Sequence, residues 1–280
     1  MPELPEVETI ARALRDGGRG GPPLTGRVAA GVALAWERTL ADPPAAEFAL
    51  RLAGQEVLGV ERRGKFLVIR FTRDALLIHL RMSGDLRVEP GLDADGQPLP
   101  PGPYDRLAVY FEDGHRLSFS DARKFGRAWL VSDPAYVLGG LGPEPFDPAL
   151  TPDAFHQMLR QRKRLLKPLL LDQTFLAGLG NIYTDEALHT AGLHPTRLSH
   201  TLSEAESARL LDAIRGVLQE GIRRNGASFD WVYRGGEFQN NFRVYQRTGS
   251  PCPVCGHPVE RTVIGQRGTH YCPICQPREV

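Results

Sequence analysis

Two places in this sequence hold residues whose types and spacing can do chemistry. At the C-terminal end, all four cysteines fall in two C-x2-C pairs, Cys252/Cys255 and Cys272/Cys275, with sixteen residues between them. Each pair offers two thiolates on a tight turn, and four thiolates complete a closed tetrahedral shell for zinc. A redox-active pair would need a thioredoxin-like context, which is absent here. A closed shell leaves no position for substrate, so the expected zinc is structural and holds a β-hairpin. Its tip, GQRGTH (265–270), presents Arg267, which suits phosphate contact or plain solvation.

The other place is the start, MPELPEVE. Trimming of Met1 would leave Pro2 with a free secondary amine. An α-amino group titrates near about 7.7–8, so a useful fraction is neutral at physiological pH. Such an amine can attack a sugar C1′ and form an iminium without any lysine. Glu3 would stand beside it to move protons, and Glu6 near enough to orient the amine. The same residues also read as an ordinary helix start, with proline and acids at the positive end of the dipole. Farther on, FLAGLGNIYTDEA (175–187) sets two glycines before a helix that opens at Asn181, with Lys163 and Lys167 upstream. That is an anion-binding arrangement, and with the two lysines beside it a phosphate site, or else a tight helix–helix turn capped by Asn181.

These groups need elements to hold them. Residues 6–15 read as a short helix, and GGRGGPP (17–23) as a break. Residues 24–131 read as strands. KFLVIRF and LLIHLRM are β-rich runs, and RLAVYF and HRLSFS alternate on either side of Asp113-Gly114, a hairpin signal. The segment 91–103 is a long polar loop. The expectation is an antiparallel two-sheet sandwich. A Gly/Pro-rich stretch (132–152) then separates it from helices: one behind Thr151 and Pro152, one near 165–175, one over 181–192 closed by Gly192, and one from Ser203 with Glu206 completing a capping box.

The 280 residues carry a net charge of only +1, so the total does not advertise a nucleic-acid partner. The distribution says more: residues 1–150 balance at −3 and residues 151–280 at +4, with a basic cluster, RQRKRLLK, at 160–167. Arginines outnumber lysines 30 to 4, which suits planar phosphate contacts. No apolar run approaches the roughly 18 residues that span a bilayer, and no export signal precedes the fold, which points to the cytoplasm.

PELPEVET, RRGKFL (62–67), HLRMSG (79–84), DARKFG (121–126), AGLGNIYTDEAL (177–188) and the four-cysteine unit occur in that order. Together they resemble the bacterial formamidopyrimidine-DNA glycosylase (Fpg) family over essentially the whole chain. The resemblance implies an α+β multidomain protein: an N-terminal antiparallel β-sandwich with a short N-terminal helix (1–134), a linker (135–150), a helix–two-turn–helix DNA-binding domain (151–242) and a β-hairpin zinc finger (243–280). It implies a base-excision repair enzyme that removes oxidised purines such as 8-oxoguanine and formamidopyrimidines through a Schiff base, then cuts the abasic site by β,δ-elimination. The partner would be double-stranded DNA carrying oxidised bases or abasic sites, the cofactor one zinc ion, and the protein a cytoplasmic, nucleoid-associated monomer with no membrane partner.

By the same resemblance Pro2 is the nucleophile, Glu3 the acid that helps open the sugar, and Glu6 the orienting carboxylate. Lys65 contacts phosphate near the lesion and assists elimination, and Arg267 grips phosphate and takes part in a late proton transfer. Lys163, Lys167 and Asn181 match backbone-binding positions. Met82, Arg123 and Phe125 match the trio that fills the gap left by an everted base, Arg123 reading the partner base and Phe125 wedging the stack. An apolar wedge offsets part of the unstacking that base eversion requires. Two features depart from the family pattern. Arg106 stands where a DNA-contacting histidine is usual. The stretch 225–245 is shorter than usual, with Phe229, Trp231 and Tyr233 where a polar loop is more common, which bears on lesion choice rather than on excision chemistry. Other readings are an endonuclease VIII-like glycosylase for oxidised pyrimidines and a non-catalytic binder of damaged DNA.

Overall fold

A computed structural model describes residues 1–228 and 235–278. The chain forms two compact units. Met1–Pro2 and Glu6–Gly140 belong to the first; Glu3–Pro5, Leu141–Ala227 and the residues from Gly235 belong to the second.

In the first unit, helix α1 (Leu4–Asp16) leads into strands β1 (Ala29–Leu34) and β2 (Leu40–Asp42), helix α2 (Ala45–Leu52), and strands β3 (Val57–Arg63), β4 (Phe66–Phe71), β5 (Ala75–His79), β6 (Gly84–Pro90), β7 (Asp105–Phe111), β8 (His115–Asp121) and β9 (Arg127–Val131). Two sheets result, ordered β1-β7-β8-β6 and β2-β9-β5-β4-β3. Period-2 patterning explains why they pack. In β7 and β8, Leu107 faces Phe119 and Val109 faces Leu117 across the ladder, and all four point into one core with Val60, Leu67, Ile69 and Ile78 of the other sheet. The sandwich is as expected, except that β2 runs parallel to β9. Residues 24–131 are also not all strand. Phe48 and Leu52, four apart, bury one face of α2 in the same core, a helical signal too short to stand out. A short helix, α3 (Ala135–Leu138), follows, and its Val137 and Leu138 pack on the outer face of the five-stranded sheet.

The second unit holds helices α4 (Pro152–Arg160), α5 (Leu166–Leu170), α6 (Asn181–Ala191) and α7 (Glu204–Arg223), then strands β10 (Glu260–Ile264) and β11 (Arg267–Tyr271). Thr151 caps α4, Ser203 and Glu206 form the capping box of α7, and Gly192 ends α6 with φ +69°. The helix expected over 165–175 stops at Leu170. Asp172 draws the Thr174 N–H (3.0 Å) and hydroxyl (2.7 Å) to its carboxylate, a local turn that competes with the helix.

Candidate functional site

Helix α6 organises the second unit. Gly180, not Asn181, is its N-cap. The free N–H groups there meet an anion that belongs to the chain itself: the buried Glu3 carboxylate accepts from Gly180 N (2.7 Å), Ile182 N (3.0 Å) and Tyr183 N (3.4 Å). A β-carbon on Gly180 would lie 2.2 Å from the Glu3 carboxyl carbon, so only glycine admits this contact. The anion-binding arrangement read from the AGLGN stretch therefore exists, and Glu3 fills it. Pro2, the residue before Glu3, is buried, while Met1 is exposed.

The rest of α6 grips the C-terminal hairpin. Lys167 and Asp185 are fully buried and paired at 2.6 Å. Lys167 Nζ and Asn181 Nδ2 both donate to Gly268 O, at 2.9 and 3.0 Å, and Asp185 accepts from His270 N at 2.9 Å. Burial lowers the Lys167 ammonium below the ordinary lysine range, and Asp185 opposes that shift. Glu186 accepts from three successive backbone N–H groups, of Arg243, Val244 and Tyr245, at 2.8–3.0 Å. The contacts to Gly268 and His270 seat β11 directly behind Arg267, its first residue. The β10–β11 turn has positive φ at Gly265 and Gln266, the primed geometry that matches strand twist, and it leaves Arg267 exposed at the tip. Lys163 is also exposed, in the loop between α4 and α5. The two lysines thus differ: Lys163 faces solvent and Lys167 is interior.

The four cysteine sulfurs lie within 4.8 Å of one another. Zinc–sulfur bonds of about 2.3 Å in a tetrahedron require sulfurs about 3.8 Å apart. Cys252 and Cys275 stand at 3.8 Å, Cys255 and Cys272 at 3.4 Å. Each knuckle closes alike, Gly256 N on Cys252 O and Gln276 N on Cys272 O, both at 2.9 Å. Burial and the neighbouring thiols push the Cys275 thiol up. For Cys252, burial is outweighed by backbone N–H groups of Cys255 and Val254, which bring it down to about 7. A divalent cation held by the four sulfurs would resolve that split by displacing all four protons. The set fits one structural zinc ion. His189 of α6 adds a contact from outside the shell, Nε2 to Cys252 Sγ at 3.3 Å.

In the first unit, Glu6 and Lys65 are buried, at 3% and 5% exposure. Lys65 follows Gly64, whose φ of +59° makes the turn from β3 to β4, and Arg62 fixes that turn by bonding Gly64 O (3.1 Å) and Glu8 (3.0 Å). Met82, Arg123 and Phe125, expected to fill the gap of an everted base, sit on two adjacent loops. Met82 and Phe125 are 42% and 49% exposed, as wedges must be and core residues are not. The Arg123 guanidinium lies 5.1 Å over the Phe125 ring. His79, buried, accepts the Arg81 N–H on Nδ1 at 3.1 Å and sets the approach to Met82. Burial first, then the charges of Arg81 and Lys65, lower this imidazole to about 3, so it is neutral. Arg106 is 7% exposed, with Nε on Asp121 O at 2.7 Å and Nη1 directed to Pro103 O and Asp105 O. Phe229, Trp231 and Tyr233 lie outside the described residues.

Sequence reasoning did not find Asp121, Asp185, Glu186 or His189. For the α6 residues a signal existed: TDEALH has acids and a histidine but no polar stripe, and the helix is buried nearly all round.

The chain matches the formamidopyrimidine-DNA glycosylase N-terminal domain over residues 1–128, the H2TH domain of the same enzymes over 141–231, and the zinc finger found in FPG and IleRS over 249–278. It is 40% identical to the formamidopyrimidine-DNA glycosylase of Protochlamydia amoebophila, over 99% of this chain and 100% of that one. Its identity to that of Chloroflexus aggregans is 44%, over 99% and 98%. Among solved structures, a Lactococcus lactis FPG mutant in complex with DNA containing Fapy-dG superposes with a TM-score of 0.87 at 33% identity, covering 99% of this chain and 100% of that chain. A MutM complex with DNA containing carbocyclic 8-oxo-G gives 0.87 at 34%, with the same coverage. These likenesses run over the whole length, in all three modules, and the chain belongs to the formamidopyrimidine-DNA glycosylase family.

Proposed function

We propose that this protein is a bifunctional DNA glycosylase and AP lyase of base-excision repair, acting on oxidised purines in duplex DNA. The observation that carries the reading is the grip of α6 on Glu3, which fixes the residue next to Pro2 by three backbone hydrogen bonds. Once Met1 is removed, the Pro2 nitrogen has a lone pair. With Met1 in place it is a tertiary amide and cannot form an imine. The nitrogen attacks C1′, the bond from C1′ to the base breaks, and the base leaves with a proton. Glu3, held beside the nitrogen, moves protons as the sugar ring opens to the iminium. The iminium acidifies C2′; loss of that proton expels the 3′ phosphate, and a second elimination expels the 5′ phosphate.

In this reading Glu6 orients the amine, and Lys65 and the exposed Arg267 and Lys163 bind phosphate. Lys167 and Asn181 act on DNA through the hairpin they hold, and Arg106 through the Asp121 backbone. Met82, Arg123 and Phe125 occupy the vacated stack. The zinc ion takes no part in bond breaking. No helix among the described residues is long and apolar enough to cross a membrane, and the proposed workplace is the cytoplasm, at the nucleoid. Relatives solved with Fapy-dG, 8-oxo-G and abasic-site DNA support oxidised purines as the substrate class. The test is a duplex bearing one 8-oxoguanine opposite C: free base and a one-nucleotide gap with phosphate at both ends are expected. Binding without base release or scission would contradict the reading and leave a damage binder.

A further inference from the structure

The two loops that carry Met82 and Phe125 are built alike. In each, a non-glycine residue in the left-handed region stands directly before the apolar tip: Arg81 at φ +55° before Met82, and Lys124 at φ +59° before Phe125. A non-glycine residue persists in that region only when its surroundings impose it. Each loop then closes with a glycine against one ring. A β-carbon on Gly84 would lie 2.9 Å from Phe119 Cε2, and one on Gly126 2.3 Å from Phe119 Cζ.

His79 Nδ1 holds the Arg81 N–H at 3.1 Å, and one carboxylate ties the two loops to each other. Asp121, 1% exposed, ends β8 and pairs in register with Gly84. Its Oδ1 accepts the Ser83 hydroxyl and the Arg123 N–H (3.2 Å), and its Oδ2 accepts the Gly126 N–H (2.6 Å). Ser83 Oγ in turn accepts Arg123 N at 3.2 Å. The Asp121 backbone is fixed as well, N to Tyr104 O at 2.8 Å and O to Arg106 Nε at 2.7 Å. Both loops therefore hang from the same two side chains, and Arg123 has its backbone tied to each.

We propose that Asp121 and Ser83 are specificity-determining positioning residues: by tying both loops together they set the position of Arg123 relative to the Met82 and Phe125 wedges, and so its reading of the base opposite the lesion. The inference rests on the function proposed above. A carboxylate is required because it accepts at both oxygens. Asparagine turns one oxygen into a donor facing a backbone N–H, and so releases either the Ser83 side or the Gly126 side.

The experiment compares excision of 8-oxoguanine opposite C with excision opposite A for wild type, Asp121→Asn and Ser83→Ala, with thermal midpoint and zinc content measured on each. For the variants, the C-over-A preference is expected to fall by about tenfold or more, the scale of one directed base contact. Loss of fold would lower both rates together; loss of positioning changes their ratio. Ser83→Ala leaves the Asp121 backbone contacts in place and carries the test if Asp121→Asn does not fold. A ratio unchanged in folded Ser83→Ala overturns the proposal. A wild-type protein that excises nothing overturns the functional reading beneath it, and the proposal with it.

Discussion

The loops of the first unit and helix α6 of the second solve one problem in two ways. Each presents a side chain on an exposed tip, Phe125 or Arg267, and fixes it from below with buried carboxylates that accept backbone N–H groups. In the loops a single residue, Asp121, does this, and the cost falls on a strained backbone with left-handed Arg81 and Lys124. In α6 the work is shared by Asp185 and Glu186, with Glu3 held at the N-terminus, and the cost is desolvation of a full lysine–aspartate pair. The lesson is a division of labour: in the proposed function the tips meet DNA and the anchors hold the tips, and substitutions in the two classes should fail in different ways.

The largest expected effect is at the buried pair. Lys167→Met leaves the buried Asp185 carboxylate without its cationic partner, with only His270 still bonded to it, and should cost about 3–5 kcal/mol of stability. Chemical denaturation measures it, and the double variant Lys167→Met/Asp185→Leu should recover much of the loss. Equal losses in single and double variants would show that the pair is not the anchor.

The next effect is acid sensitivity of the loop region. His79 has a folded value of about 3 against an ordinary value near 6.5. Between those values the unfolded chain binds a proton that the folded chain refuses, so stability is full above pH 6.5 and falls as pH drops toward 3. Over the first 2 or so pH units the loss is on the order of 3 kcal/mol, at 1.36 kcal/mol per unit. His79→Phe should flatten that slope in a denaturation series from pH 7 to 4.5.

A smaller effect is expected where α6 meets the zinc knuckles. Replacing His189 by Phe removes the contact to Cys252 and should weaken zinc about 10–100-fold, read by competition with a chromophoric chelator. Smallest in stability, and so the sharpest contrast, is Phe125→Ala. Its ring is half exposed, so folding should change by about 0.5 kcal/mol or less, while affinity for duplexes with an abasic site falls.

This division also explains what the sequence disclosed. Met82 and Phe125 were legible only through the family motifs that carry them, Arg267 through its place at a hairpin tip, and Pro2 through the chemistry of a free secondary amine. The sandwich was legible from alternation around Asp113-Gly114, and the zinc site from cysteine spacing. The anchors were not. Asp121 and Asp185 look like ordinary surface acids until topology buries them, and Arg106 and Lys167 look like phosphate ligands until their partners appear. The glycines before α6 signalled an anion, but the phosphate expected there gives way to Glu3, 177 residues away from Gly180, which one dimension of sequence does not reveal.

The most direct test of the central claim, covalent catalysis by the Pro2 amine, is borohydride reduction of the protein on abasic-site DNA, followed by mass spectrometry of the cross-linked peptide. A chain lacking Met1, joined to deoxyribose through the Pro2 nitrogen, is the predicted product. An adduct at a lysine, or catalytically competent protein that still carries Met1, would contradict the account.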